Sequence, residues 1–188
     1  MAAMTIVLPD HSLMLLIGPA GSGKTSFATA HFAPTQAVSS DFCRALVSDD
    51  EDDQSATRAA FEVLHLVVRH RLRRRRLTVV DATNVKRVDR GGLLELARKH
   101  RAPAVAVAFD IPEELCVEHD RMRPGRTVGP SVIHRQRQAM LRSLPSLEAE
   151  GFAAVYRLDS PEAVVSVNVT TATASSPPRT GSRRSLAG

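Results

Sequence analysis

The sequence predicts an α/β fold in which a parallel sheet of five strands is covered by helices on both faces. Five short runs are apolar throughout instead of alternating, which is typical of strands buried on both faces, as in parallel sheets. Segments with helical spacing of apolar residues separate these runs, and such alternation of strand and helix is typical of a doubly wound domain. The strands are expected at residues 12–17, 37–40, 77–81, 104–109 and 155–158.

The helices are predicted from apolar residues that recur every three or four positions. The clearest case is the long segment 54–76, which has Ala60, Leu64 and Leu72 at this spacing. Another helix is expected to begin at Asp41 and to be interrupted by the acidic residues 49–53. The remaining helices are expected at residues 24–32, 89–100, 113–121 and 131–144.

Length and composition indicate one domain with an aliphatic core. The chain has 188 residues, of which 43% are apolar and only 4% aromatic. No apolar run approaches the roughly 20 residues that a membrane span requires, so a transmembrane protein is excluded. We expect a folded domain over residues 12–167, a loose leader over 1–11, and a disordered basic tail over 168–188, where small polar residues dominate.

Charge and cysteine content indicate the cellular environment of the protein but do not predict its function. The net charge is +5, but three arginines of the tail account for most of it, so overall charge does not by itself predict nucleic-acid binding. The two cysteines, Cys43 and Cys116, form no metal-binding or redox motif. This pattern favours a reducing, cytoplasmic environment without a disulfide.

The strongest motif is a phosphate-binding loop, the P-loop. Residues 18–25 read GPAGSGKT and match the pattern GxxxxGK[ST] between a predicted strand and a predicted helix. Backbone amides of such a loop point at phosphate oxygens, while Lys24 can reach the β- and γ-phosphates of ATP and Thr25 can bind Mg²⁺. The candidate nucleotide-binding residues are Gly18, Pro19, Ala20, Gly21, Ser22, Gly23, Lys24, Thr25 and Ser26.

A second carboxylate site follows the strand predicted at 77–81. Asp81 ends this apolar run, as in a Walker B strand, and is a candidate Mg²⁺ ligand together with Thr25. Asn84, three residues later, is expected either at the rim of the same cleft or as the cap of the next helix.

Asp41 and Arg44 form a third candidate pair. Asp41 follows the strand predicted at 37–40, and a kinase needs a carboxylate to accept the proton of the attacking hydroxyl. Arg44 lies three residues further, on the same helix face, where it can bind an anionic group of the acceptor. The alternative is purely structural: Asp41 caps the helix and Arg44 is its ion-pair partner.

Two arginine clusters remain. Arg121, Arg123 and Arg126 lie at and after the end of the helix predicted at 113–121, where they form either an arginine-bearing lid over the phosphates or a solvated basic loop. The cluster 71–76 ends the long helix, where positive charge is favourable. Binding of polynucleotide phosphates is the less favoured interpretation of this second cluster.

On these residues the chain resembles the 5′-hydroxyl polynucleotide kinase domain of bacterial polynucleotide kinase–phosphatase repair enzymes. The resemblance extends from about Leu13 to about Val165. Besides the P-loop and the arginine-rich lid, it rests on the strings VSSDFCRAL (38–46), SDD (48–50), LTVVDATN (77–84), VAVAF (105–109) and EGF (150–152).

The resemblance implies a P-loop kinase fold and a role for each site residue. Asp41 corresponds to the general base on the 5′-hydroxyl, and Arg44 to the arginine that contacts the acceptor's phosphate. Arg123 and Arg126 correspond to lid arginines on the nucleotide phosphates. Whole enzymes of that family also carry phosphatase and ligase-like regions, and this chain has neither the length nor the motifs of a metallophosphatase. The resemblance therefore implies a kinase alone, unless separate phosphatase or ligase partner chains supply the other activities.

The function expected from the sequence is therefore ATP-dependent transfer of the γ-phosphate to the 5′-hydroxyl end of DNA or RNA. Lys24, Asp41, Arg44, Arg123 and Arg126 are the candidate catalytic residues. Two alternatives stay open: a P-loop kinase of a small hydroxylated metabolite, and a non-catalytic nucleotide-binding switch.

Overall fold

A computed structural model describes residues 4–123, 125 and 127–172. The seven strands of this part are β1 (Thr5–Pro9), β2 (Leu13–Ile17), β3 (Ala37–Ser39), β4 (Thr78–Asp81), β5 (Ala104–Phe109), β6 (Ala154–Leu158) and β7 (Asn168–Ala172). The α-helices are α1 (Lys24–His31), α2 (Ser40–Ser48), α3 (Thr57–Arg73), α4 (Arg87–Lys99), α5 (Glu113–Met122), α6 (Pro130–Ser143) and α7 (Pro161–Ser166). In the described part of the chain, no helix combines the length and apolar character needed to cross a membrane.

The predicted five-strand sheet is confirmed. Its strand order is β3-β4-β2-β5-β6, and every neighbouring pair is parallel. Alternate residues of the central strand β2 enter two separate cores. Leu13, Leu15 and Ile17 pack with α3 and α4, whereas Met14 and Leu16 pack with α1 and α5 on the opposite face. Burial of both faces explains why these strands are apolar throughout.

The predicted loose leader differs from the structure over residues 5–9, and the predicted disordered tail differs over 168–172. These residues form β1 and β7, which pair in parallel as a separate two-stranded sheet. Ile6 and Leu8 of β1 are fully buried in the core beside α1 and α5. Hydrophobic burial therefore holds the leader in place, and β7 supplies its backbone partner. The rest of the predicted tail, 173–188, lies outside the described residues.

The helices agree with the predicted pattern apart from two local differences. The segment predicted as one helix over 54–76 begins with a 3₁₀ turn, Gln54–Ala56, and the α-helix ends at Arg73. Arg75 has φ 55°, in the left-handed region, which ends the helix before β4. The short helix α7 was not predicted. Both cysteines are free and buried, in agreement with the sequence.

All five strands of the main sheet point their carboxyl ends at the same edge. The P-loop follows β2, Asp41 follows β3, Asp81 ends β4 and Asp110 follows β5. Strand β2 lies between β4 and β5. The connection that follows β2 leads to β3 on one side of it, whereas the connection from β4 leads to β5 on the other side. In open α/β sheets, ligands bind in the crevice at such a point.

Candidate functional site

The P-loop is shaped by glycines and by its contacts with β4 and α5. Gly21 has φ +75° and Gly23 φ +91°, conformations that side-chain-bearing residues rarely adopt. A Cβ at Gly21 would lie 2.0 Å from the carbonyl oxygen of Cys116 in α5, so only glycine fits this approach. The N–H of Gly18 donates to the carbonyl of Thr83, at 2.9 Å, and ties the start of the loop to the end of β4.

Lys24 lies inside the curve of the P-loop. Its Nζ donates to the carbonyl of Pro19 at 2.6 Å and to Ser22 Oγ at 3.3 Å. Burial lowers the pKa of Lys24, while the nearby carboxylates of Asp81 and Asp41 partly oppose this shift. A buried ammonium with few hydrogen-bond partners is suited to binding a phosphate, because the negative charge of the phosphate would compensate for the hydration that burial removes.

Thr25 and Asp81 meet as the sequence predicts. Thr25 Oγ1 donates to Asp81 Oδ2 at 2.8 Å, although 56 residues separate them. Burial raises the pKa of Asp81, against the effects of Lys24 and the Thr25 hydrogen bond. A hydroxyl and a carboxylate beside a phosphate loop are hard oxygen donors, which Mg²⁺ prefers. These two residues fit a Mg²⁺ ion that takes its other ligands from phosphate and water.

Ser26, the last predicted nucleotide-binding residue, lies in the first turn of α1. Its side chain is exposed, one residue beyond Thr25. The described residues include no group of three or more His, Cys, Asp or Glu that could hold a metal.

Asp41 lies in the first turn of α2 and does not cap it. The cap is Ser39, whose side chain accepts the N–H of Phe42 at 3.3 Å. The carboxylate of Asp41 accepts from Arg44 at 3.0 Å and from Arg123 at 3.4 Å, one arginine on each oxygen. The structural alternative is thus wrong about the cap, but the Asp41–Arg44 ion pair that it expects is present.

Arg44 is held firmly. Its side chain is 9% exposed, and one amino group donates both to Asp41 and to the carbonyl of Glu51. Its Nε is buried and has no hydrogen-bond partner among the described residues. Arg44 is therefore fixed beside the carboxylate and retains hydrogen-bonding capacity.

Arg123 belongs to the arginine segment, residues 121–127, which begins in the last turn of α5 and leads towards α6, and it contacts the rest of the site. Besides Asp41, it contacts Glu51 Oε1 at 3.4 Å. Burial lowers the pKa of Arg123, but the two carboxylates outweigh it and the net shift is upward. Arg121, the third candidate, is exposed at the end of α5, and Arg126 lies outside the described residues.

Asn84 neither caps a helix nor lies open to the cleft, so both expectations for it are wrong. The residue before α4 is Lys86, while Asn84 is buried with φ 48°. Its Nδ2 donates to the carbonyl of Leu16 at 2.8 Å. The carbonyl of Asn84 accepts from Arg90 at 2.7 Å. Asn84 therefore joins β4 to β2 below the P-loop.

A fully buried ion pair supports this turn. Arg90 donates to both carboxylate oxygens of Glu150, at 2.8 and 2.6 Å. The fork geometry satisfies both charges, which a buried pair requires if it is not to destabilise the fold. Glu150 belongs to the EGF string of the resemblance, and this contact gives it a structural role near the site.

The arginine cluster 71–76 lies away from the site. Arg71 donates to the carbonyl of Leu77 at 2.8 Å and to Thr78 Oγ1 at 3.2 Å, at the amino end of β4. The P-loop lies at the carboxyl end of the sheet. The favoured structural interpretation of this cluster therefore agrees with its position.

Sequence reasoning missed three side chains of α5 and α6, two of which contact the P-loop. Gln136 of α6 accepts the N–H of Ala20 at 2.8 Å, and His119 of α5 lies 2.9 Å from the carbonyl of Gly21. The carboxylate of Asp120 accepts from the N–H groups of Val128 and Gly129, at 3.1 and 3.0 Å. Of the three, only Asp120, an acid directly before the arginine segment, left a visible signal in the sequence.

Comparison with solved structures supports the fold. A chain of the "Pnkp1/Rnl/Hen1 RNA repair complex" superimposes with a TM-score of 0.64 at 21% identity, covering 76% of this chain and 47% of that one. The present chain thus spans about half the length of that protein. A gluconokinase from Sinorhizobium meliloti gives a TM-score of 0.50 at 19% identity, covering 84% and 90% of the two chains.

A third neighbour was solved with a nucleotide. The AvrRxo1-ORF1:-ORF2 complex with ATP gives a TM-score of 0.53 at 15% identity, covering 76% of this chain and 50% of that one. No curated protein matches the chain.

The family assignment rests on a sequence model. The model described as "AAA domain" matches residues 13–147, a range that includes β2 to α6, the P-loop, Asp41 and Asp81. The fold, the P-loop geometry and this match agree on a kinase-like P-loop protein that binds nucleotide. The chain therefore belongs to the AAA domain family, with the fold of its P-loop kinases.

Proposed function

We propose that the chain is an ATP-dependent kinase that transfers the γ-phosphate to the 5′-hydroxyl end of a polynucleotide. The observation that carries the proposal is the Asp41–Arg44 pair, with Arg123 on the second carboxylate oxygen. Asp41 is close enough to Lys24 and Asp81 to influence the pKa of both. A carboxylate beside a phosphate loop, flanked by two arginines, suits an acceptor that carries both a hydroxyl and a phosphate.

In the proposed reaction the acceptor hydroxyl attacks the γ-phosphorus of ATP. The new O–P bond forms as the bond between the γ-phosphorus and the β–γ bridging oxygen breaks, and ADP leaves. Asp41 accepts the hydroxyl proton, Lys24 stabilises the charge on the transferring group, and Arg44 holds the acceptor phosphate. Mg²⁺, held by Thr25 and Asp81, would neutralise phosphate charge when bound.

A groove next to the P-loop supports an anionic acceptor. It has a volume of about 650 Å³ and lies between the β4–α4 connection and α6. Lys86, Arg135 and Arg142 line it, against one acid, Asp89. A cationic lining suits an anionic acceptor, a chain of phosphates as well as a carboxylate such as gluconate. The neighbour from an RNA repair complex is consistent with such an acceptor.

The second candidate is a kinase of a small hydroxylated metabolite. The gluconokinase neighbour favours it, because the two chains cover one another almost completely. Such an enzyme would use the same Lys24 and Asp41 but would need no phosphate on its acceptor. The two candidates therefore differ in the role of Arg44.

The experiment offers γ-labelled ATP and Mg²⁺ together with three acceptors: an oligonucleotide with a 5′-hydroxyl, the same oligonucleotide with a 5′-phosphate, and gluconate. We expect label only on the 5′-hydroxyl oligonucleotide. Label on gluconate alone would establish the second candidate, and folded protein that labels none of the three would reject the proposal.

Matched variants assign the roles within that assay. Lys24→Ala and Asp41→Asn should each reduce transfer at least 10²-fold, the lower range for loss of a general base. The controls are Lys99→Ala, an exposed lysine at the end of α4, and Asp10→Asn, at the opposite end of the sheet. Transfer by Asp41→Asn at the rate of the Asp10→Asn control would contradict the general-base assignment.

A further inference from the structure

We propose that Gln136 is a positioning residue that couples the P-loop to Arg123, an inference that rests on the proposed phosphotransfer function. Gln136 lies in α6, which begins after the arginine segment, and its Oε1 accepts the N–H of Ala20 at 2.8 Å. This contact joins residues 116 positions apart. Nothing in the proposed chemistry requires a side chain from α6 at this amide.

A second contact on the other side of the arginine segment strengthens the inference. His119, in the last turn of α5, has its Nδ1 2.9 Å from the carbonyl oxygen of Gly21. Because a carbonyl oxygen only accepts, Nδ1 must carry the proton. The helices before and after the arginine segment thus hold two consecutive P-loop residues, Gly21 and Ala20.

The arginine segment itself is tied at both ends. Asp120 stands just before it, and its carboxylate accepts from Val128 and Gly129 just after it. Arg123 therefore extends from the end of α5, which His119 holds against the P-loop. Asp120 joins α5 to the start of α6, which Gln136 holds against the same loop. A small shift of α6 relative to the loop would move the guanidinium of Arg123 relative to Asp41 and to a bound triphosphate.

The choice of glutamine fits this role. Its carbonyl oxygen accepts the Ala20 N–H without adding negative charge next to the phosphate site. A glutamate could make the same hydrogen bond but would repel the donor nucleotide. The two requirements, an acceptor and neutrality, can therefore be tested separately.

The test compares Gln136→Met, which keeps the side-chain length and removes the acceptor, with Gln136→Glu, which keeps the acceptor and adds a charge. The control is Gln36→Met, because Gln36 Oε1 accepts the N–H of Ala33 at 2.9 Å in an exposed loop outside the site. Each variant is made in the wild-type and the Arg123→Ala backgrounds. Dissociation constants for Mg²⁺–ATP and single-turnover rates of γ-phosphate loss, to acceptor or to water, are measured.

We expect Gln136→Met to slow γ-phosphate loss two- to tenfold, the effect of one lost hydrogen bond, with the ATP dissociation constant changed less than twofold. In the Arg123→Ala background the same substitution should have no further effect, because the two residues act as one unit. Gln136→Glu should keep the rate at saturating ATP and weaken ATP binding. Gln36→Met should change neither quantity.

Three results would overturn the inference: an equal loss of rate in both backgrounds, a loss confined to ATP binding in Gln136→Met, or a rate in Gln136→Glu as low as in Gln136→Met. Failure of the proposed function has a different signature. A wild-type protein that hydrolyses ATP yet labels no 5′-hydroxyl end would reject the acceptor, while the hydrolysis rates would still test the coupling.

Discussion

At the scale of single residues, the site contains buried ionisable groups that are suited to binding charged ligands. Lys24 and Asp81 are both buried, and burial shifts the pKa of each towards its neutral form. Asp81 has a hydrogen bond from Thr25 but no ion-pair partner among the described residues. The nucleotide-free protein therefore bears the desolvation cost of groups that a triphosphate and Mg²⁺ would compensate.

Asp81→Asn should stabilise the nucleotide-free, metal-free protein and abolish Mg²⁺-dependent transfer. Asparagine can still accept the Thr25 hydrogen bond, but it removes a carboxylate that burial penalises. We expect the free energy of unfolding to rise by about 1 kcal/mol, which corresponds to 2–4 °C in Tm at neutral pH. Thermal unfolding with chelator present measures this change.

The gain should depend on pH in a defined direction. The folded-state pKa of Asp81 is raised above its value in the unfolded chain, so the folded protein binds the proton more tightly. Stability of the wild type then falls as pH rises through the raised pKa. The advantage of Asp81→Asn should be complete above that pKa and should shrink as pH falls towards 4. An advantage that grows at low pH would contradict the assignment.

At the scale of elements, one buried acid at the end of α5 joins this helix to the residues just before α6. Asp120 is 3% exposed and accepts two backbone N–H groups across the segment. Because both N–H groups donate to the same carboxylate, the end of α5 is held close to the start of α6. Arg123, the residue directly after α5, is thereby held beside the start of α6.

Asp120→Asn should loosen this closure, because the amide can accept only one of the two N–H groups and turns a donor towards the other. We expect a loss of about 1–3 kcal/mol in stability and slower phosphate transfer with ATP binding retained. Hydrogen exchange at Val128 and Gly129 should rise. Glu118→Gln, an exposed acid-to-amide change in the same helix, is the control, and equal exchange in both variants would contradict the role of Asp120.

Elements with strong local patterns could be predicted from the sequence, and the others could not. The P-loop, Asp41 and Asp81 each lie at the carboxyl end of an apolar strand, so parallel topology alone predicts that they meet. Gln136 and His119 could not be predicted, because their contacts depend on how α5 and α6 pack on the P-loop. The pairing of β1 with β7 joins residues about 160 positions apart, and the small polar residues of β7 resemble a linker in composition.

At the scale of the whole molecule, the first strand completes the second core. Ile6 and Leu8 are fully buried against residues of α1, α5 and the main sheet, while Val7 between them is 49% exposed. The alternation is that of a strand with one face on the core and one in solvent. The folded unit thus begins before the P-loop strand and includes β7.

Leu8→Ala should destabilise the protein by about 2–5 kcal/mol, as expected for a fully buried leucine. Val7→Ala, on the exposed face of the same strand, should cost less than about 1 kcal/mol. Denaturant unfolding of both variants measures the difference. Equal stabilities would mean that the leader is loose, as its composition first suggested.

In the proposed mechanism, Asp41 lies beside the γ-phosphate of a nucleotide that the P-loop binds. A crystal structure with Mg²⁺, a non-hydrolysable ATP analogue and a 5′-hydroxyl oligonucleotide tests it most directly. We expect a carboxylate oxygen of Asp41 within roughly 2.6–3.2 Å of the acceptor hydroxyl, and that hydroxyl in line with the γ-phosphorus. An Asp41 side chain turned to solvent, with the acceptor hydroxyl against another group, would contradict the general-base role of Asp41.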